Sequence, residues 1–232
     1  MSAPTPAVSP PRPASLLQRW TAWSLDAALV AVVTLALVAT SLAARLATLD
    51  AAFATLLDAM LQPLLSALPG VPSPAQLLGD PAVLTATSRF ADALGHVLLL
   101  PLVTFALLSW LYATAFECAR AATPGKRALR LRVISADDGA PATCGHHALR
   151  QAAGLLSWLS LNLGHLMAAM PPRHQALHDR IAGMRVVTDM DALPRWAVAW
   201  LWLQAALACL ALAVLMIALQ ARVDAALLRA LG

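Results

Sequence analysis

Charged side chains are scarce in this chain: 16 Lys and Arg plus 12 Asp and Glu among 232 residues, or 12%, where soluble domains usually carry about 25%. Hydrophobic residues make up 60% of the sequence and the mean hydropathy is +0.71. This deficit excludes an ordinary water-soluble globule and points to the bilayer as the solvent. Cysteine is also sparse. Cys118, Cys144 and Cys209 are odd in number and form no CxxC, which argues against a disulfide framework and a classical zinc site and leaves them as core thiols. Motifs of covalent or hydrolytic catalysis are missing as well. There is no GxSxG, and Gly125-Lys126 fails as a phosphate loop because Arg120 stands where Gly is needed and Arg127 replaces Ser or Thr. Covalent or hydrolytic catalysis therefore has no support, and no cofactor or metal is expected. The net charge of +4 comes from arginines beside apolar runs, which suits basic loops of a multi-pass protein and excludes nucleic acid as a partner.

What is present is a succession of long apolar segments. Residues 1–14 are rich in proline (Pro4, Pro6, Pro10, Pro11, Pro13) and are expected to be a disordered cytoplasmic tail. They contain no signal-peptide pattern, so the first span is expected to be retained. That span covers Leu25 to Leu46, with Arg12 and Arg19 before it marking the cytoplasmic end. An extracytoplasmic insertion follows at 47–92. Its first half carries a helical stripe of Phe53, Leu56, Leu57, Met60, Leu61 and Leu64, as in an interfacial or capping helix with a kink at Pro63. The second span is Ala93 to Phe116, bent at Pro101. The last is Trp196 to Leu219, opening on an aromatic belt of Trp196, Trp200 and Trp202.

Between the second and last spans lies a polar module. Leu129, Leu131 and Val133 alternate with Arg130 and Arg132, the period of a strand with one apolar face, and Gly183 to Val187 is a second strand candidate. If they pair, they share one side of the membrane. The intervening Gln151 to Met170 contains Gly154, Ser157, Ser160, Asn162, Gly164 and His165, the polarity of a broken or re-entrant element rather than a straight crossing. Re-entry leaves 12 of the 16 Lys and Arg in the cytoplasm, and a full crossing only 10, so the positive-inside tendency favours re-entry. The expected fold is all-α and membrane-integral: three full transmembrane helices, one re-entrant or interfacial helical hairpin, and a small two-stranded cytoplasmic β element. Its segments are the tail at 1–14, a membrane domain at 15–190 with the insertion, and a C-terminal helix and tail at 191–232.

The candidate functional residues are ionisable groups near these spans. Asp26 lies six residues beyond Trp20, about 9 Å into the apolar zone by helical rise, where a carboxylate needs a partner or a wet cavity. Arg19 shares its helical face and can reach toward it. Arg19, Asp26, Glu117, Lys126, Arg150 and Asp179 can form one transport or ion-pair network facing the cytoplasm, supported by Tyr112, Gly125 and His178. His174 and His178 are spaced i, i+4, but no glutamate follows the first as in HExxH and no third ligand has a diagnostic spacing.

At these residues the chain resembles the RDD family of small bacterial membrane proteins. The resemblance rests on Arg19 with Asp26 in R-W-T-A-W-S-L-D, Tyr112 to Glu117, Thr123-Pro124-Gly125-Lys126-Arg127, the Leu131 to Val133 strand, Arg150, and His178-Asp179 leading to Ala182-Gly183 and Val186-Val187. The long insertion at 47–92 departs from the family pattern, as does Met184 in place of a common threonine. The resemblance implies a multi-pass protein of the bacterial inner membrane, N-terminus cytoplasmic, with transport, including cation/proton exchange, proposed for some members. Transport of a small cation or proton through Asp26, with Arg19 and Arg150 tuning it, is the first expectation. The alternative is a non-transporting scaffold or accessory factor that binds a partner protein or anionic lipid. The partners expected are the lipid bilayer and either further copies of the chain or another membrane protein.

Overall fold

A computed structural model describes residues 12–66, 70 and 72–231; most of the proline-rich tail expected at 1–14 lies outside them. The elements are β1 (Arg12–Pro13), α1 (Leu16–Ser66), α2 (Pro74–Gly79), α3 (Pro81–Arg120), α4 (Pro124–Ala128), β2 (Leu131–Ser135), α5 (Cys144–Leu159), α6 (Leu163–Leu166), α7 (Leu177–Ile181), β3 (Met184–Thr188) and α8 (Arg195–Leu231). The chain is mostly helical. Among the described residues α1, α3 and α8 are long and apolar enough to cross a membrane.

These helices outrun the expected spans. The 51 residues of α1 are more than twice the about 20 that one crossing needs. The separate interfacial helix expected within the insertion is instead the continuation of α1. Its apolar stripe has helical period, and no glycine interrupts the run before Ser66, with Pro63 taken inside the helix. Likewise the residues after Leu219 continue α8 to Leu231. Apolar side chains along α8 are widely exposed, Trp202 at 73% and Ile217 at 70%, as expected of a surface dissolved in lipid rather than water.

The chain forms two compact units, residues 1–33 with 105–202, and residues 34–104 with 203–232. In the second, Val38, Val83, Ala86, Ala93, Val97 and Ala226 are buried and Phe53 packs on Phe90 at 5.6 Å. Arg222 pairs with Asp50 at 2.8 Å and Arg229 with Asp58 at 3.0 Å, all four half-exposed. Ser73 caps α2 in a reciprocal box with Gln76.

The first unit is organised on a small antiparallel sheet of order β1-β3-β2. The two arginine-bearing segments do pair, with Leu131 opposite Thr188 and Val133 opposite Val186. The element has three strands rather than two, because Arg12 and Pro13 align with Thr188 and Val187 and Ala14 donates its N–H to the Val186 carbonyl at 3.0 Å. Pro13 can occupy this place because an edge strand needs no inward N–H from it. The apolar face read from the alternation is the core: Leu129, Leu131, Val133, Met184 and Val186 are buried with Ala14, Ala22, Ala182 and Ala197. Between β2 and β3 the chain does not run straight. Helix α5 and the segment from Leu163 to Ala169 meet at 115°, across Leu161 and Asn162 in left-handed backbone, a conformation asparagine tolerates better than most residues.

The cysteines correct one expectation. Cys118, near the end of α3, and Cys144, opening α5, form a disulfide with Cα atoms 4.9 Å apart. Their 26-residue separation carries no pairing signal, and their approach is a product of the tertiary fold. Cys209 is exposed and free.

Candidate functional site: three buried carboxylates in the first unit

Helix α1 brings Arg19 and Asp26 to the first unit, α3 brings Tyr112 and Glu117, α4 Gly125 and Lys126, α5 Arg150, and α7 His178 and Asp179. Each predicted site residue is therefore present in one unit. They divide into two clusters.

In the first, Asp26 Oδ1 accepts hydrogen bonds from the Tyr112 hydroxyl at 2.9 Å and the Gly125 N–H at 2.7 Å, and Oδ2 accepts from Thr123 Oγ1 at 2.5 Å. Thr123 also caps α4, so one loop serves the helix and the carboxylate together. Gly125 is required by closeness: a Cβ there would lie 2.2 Å from the Ala22 carbonyl oxygen and 2.9 Å from Asp26 Cγ. Arg19 does not serve Asp26, contrary to expectation. Among the described residues no cation forms an ion pair with that carboxylate.

The second cluster is a chain of alternating charge. Arg19 Nη1 donates to Asp179 Oδ2 at 2.5 Å, and Arg150 Nε donates to Asp179 Oδ1 at 2.7 Å. Arg150 Nη1 reaches both oxygens of Glu117, at 3.0 and 3.3 Å. Lys126 Nζ pairs with Glu117 Oε1, and His147 Nδ1 lies 3.1 Å from Oε2. Asp179 and Glu117 are 0% and 1% exposed. Arg150 is thus the hub that ties α5 to α3 and α7. Arg19 adds α1 and further donates to the carbonyls of Ala14 and His174.

Burial alone would raise the Asp179 pKa, but the guanidinium groups of Arg150 and Arg19 outweigh it and hold the carboxyl well below its ordinary range. His178 is pushed the other way. Burial first, and then the charge of Arg150, lower its imidazole to about 3, so it is neutral at physiological pH. Its ring packs on that of His165 at 5.0 Å. His174 has left-handed backbone and precedes α7, so the i, i+4 face imagined for His174 and His178 does not form.

His147 and Thr123 emerge as site residues whose direct roles the sequence reading missed. For His147 a signal existed: residues 147, 150, 153 and 157 are the buried positions of α5, steps of three and four that place the histidine on the face of Arg150.

Long apolar helices joined to a polar module with buried charges define an integral membrane protein. The model of the RDD family matches residues 13–183. The chain belongs to the RDD family. No curated protein and no solved structure matches it.

Proposed function

We propose that this protein is a non-transporting membrane scaffold or accessory protein whose strand-bearing side faces the cytoplasm. One observation carries the reading: all three buried carboxylates are already committed to protein donors. Asp26 has three, Glu117 has Lys126, Arg150 and His147, and Asp179 has Arg19, Arg150 and the Ala176 N–H. A carboxylate offers about four acceptor positions, and an ion carrier must surrender its partners at every cycle. In a low-dielectric interior that exchange is costly. The same contacts act well as a clamp, fixing α4, α5 and α7 against α1 and α3. In this reading the bent segment from Cys144 to Ala169 re-enters the membrane, which keeps both paired strands on the basic, cytoplasmic side. The insertion at 47–92 supplies a surface for a partner on the extracytoplasmic side.

The competing reading, transport of a proton or small cation, has one support: Asp26 and Tyr112 line a cavity. The two separate in sealed vesicles containing the purified chain, with a pH-sensitive dye inside and a sodium or potassium gradient imposed. The scaffold reading expects dye response equal to protein-free vesicles, and expects Asp26→Asn to lower the melting temperature. Flux above background that Asp26→Asn abolishes, at unchanged melting temperature, overturns it.

A further inference from the structure

Two of the chain's three cysteines meet although nothing in their spacing requires it. Cys118 lies near the end of α3 and Cys144 is the first residue of α5, with Cα atoms 4.9 Å apart, a separation that a disulfide spans without backbone movement. Both belong to the first unit, with the sheet and the buried charges. Cys144 is exposed and Cys118 half-buried, so a small thiol or disulfide in solution reaches the pair. Cys144 also opens a 16-residue helix, a position that favours the thiolate, the reactive form of the side chain.

The pair sits on the charge clamp. Glu117 directly precedes Cys118, and His147, about one helical turn after Cys144, lies 3.1 Å from the Glu117 carboxylate. Arg150 binds the same carboxylate from the next turn of α5. A covalent tie between Cys118 and Cys144 therefore closes over the α3–α5 junction that Glu117 holds by charge. We infer that Cys118 and Cys144 form a redox switch, a reversible lock on that junction that a low-molecular-weight disulfide closes and its thiol opens. The inference rests on the cytoplasmic placement of the strand-bearing side proposed above. Thiols are kept reduced in that compartment, and a disulfide there is usually transient or sensing rather than a permanent staple.

The exchange balances in two steps. The exposed Cys144 thiolate attacks one sulfur of the small disulfide RSSR, forming a mixed disulfide and releasing a thiolate, which takes up the proton that Cys144 lost. The Cys118 thiolate then attacks the Cys144 sulfur, and the second small thiolate leaves and takes the proton from Cys118. The protein pair is oxidised by two electrons and RSSR is reduced to two RSH. Excess RSH runs the sequence backward. With the pair open, Glu117 joins α3 to α5 through Arg150 and His147; with it closed, a covalent bond across 26 residues of chain reinforces the same junction.

The test uses the full chain in the cells that make it. Thiols are trapped with acid and counted after denaturation with a mass-tagged maleimide, before, during and after exposure to membrane-permeant dipyridyl disulfide. All three cysteines should be labelled in untreated cells, Cys209 alone during exposure, and all three again after washout. In neutral detergent the closed form should melt about 4–16 °C above the open form, and Cys118→Ser should match the open form with or without oxidant. A parallel arm reports the compartment: Arg173→Cys, at an exposed position, in a chain with its native cysteines changed to serine, should resist an impermeant maleimide in intact cells. Labelling from outside overturns the cytoplasmic placement and the switch with it. With Arg173→Cys protected, a pair already closed in untreated cells, a pair that stays open during exposure, or equal melting of the two forms overturns the switch and leaves the placement standing.

Discussion

The sharpest consequence of the buried charge chain is a pH-dependent loss of stability centred on His178. The imidazole is 8% exposed, faces Arg150, Asp179, Arg19 and His165, and is held at about 3 by burial and by the guanidinium of Arg150. An unfolded histidine titrates near 6.5. A lowered folded value means that the unfolded chain binds the proton more readily below about pH 6.5, so stability is full above that pH and falls as the solution is acidified toward 3. Each pH unit in this window is worth about 1.4 kcal/mol; between pH 6.5 and 5 the loss is about 2 kcal/mol, and over the whole window about 5. The depressed Asp179 carboxyl contributes only below about pH 4, outside the range measured. In a chain of this size 2 kcal/mol corresponds to about 4–8 °C. The assay is thermal unfolding in neutral detergent at pH 8, 6.5, 6 and 5, for the wild type and His178→Gln, which cannot take up the proton. The wild type should lose about 4–8 °C more than the variant between pH 6.5 and 5. Parallel curves would refute the reasoning, since every other titrating group is common to both.

Gly125→Ala should cost about 1–3 kcal/mol by overpacking, because its Cβ would meet the Ala22 carbonyl oxygen at 2.2 Å; a melting temperature equal to wild type contradicts this close approach. Arg222→Ala and Arg229→Ala remove half-exposed pairs and should each change stability by less than about 1 kcal/mol, measured the same way. Under denaturing conditions without reductant, alkylation should label one cysteine, Cys209, and after reduction all three. Three labels before reduction would dissolve the Cys118–Cys144 pair.

The three long apolar helices were readable because a helix able to face lipid must be apolar all round for about 20 residues, and no folding detail alters that requirement. Their ends were not. Residues 47–66 have helical period but enough polarity to look like a separate element, and continuity with the first span depends on the absence of a break. Alternation at Leu129, Leu131 and Val133 revealed the strand and its buried face, whereas β1 has two residues, one a proline, and carries no pattern. The right residues for the site were visible as charges beside apolar runs. Their pairing was not, because Arg19 and Asp179 are 160 positions apart and Asp26 and Gly125 are 99 apart. Helical proximity suggested Arg19 for Asp26. The backbone N–H of Gly125 and the hydroxyls of Thr123 and Tyr112 fill that place, which frees Arg19 for the carboxylate that α7 delivers.

Whether the buried charges act as a clamp is measured most directly by a double-mutant cycle on Arg150 and Asp179, joined at 2.7 Å, with Arg150→Met, Asp179→Leu and the double variant unfolded under the same conditions. Each single change strands a buried charge and should cost about 3–5 kcal/mol, while the double variant should fall short of the sum by about 2 kcal/mol. Additivity to within about 0.5 kcal/mol would mean that the two groups do not hold each other, and the clamp would be contradicted.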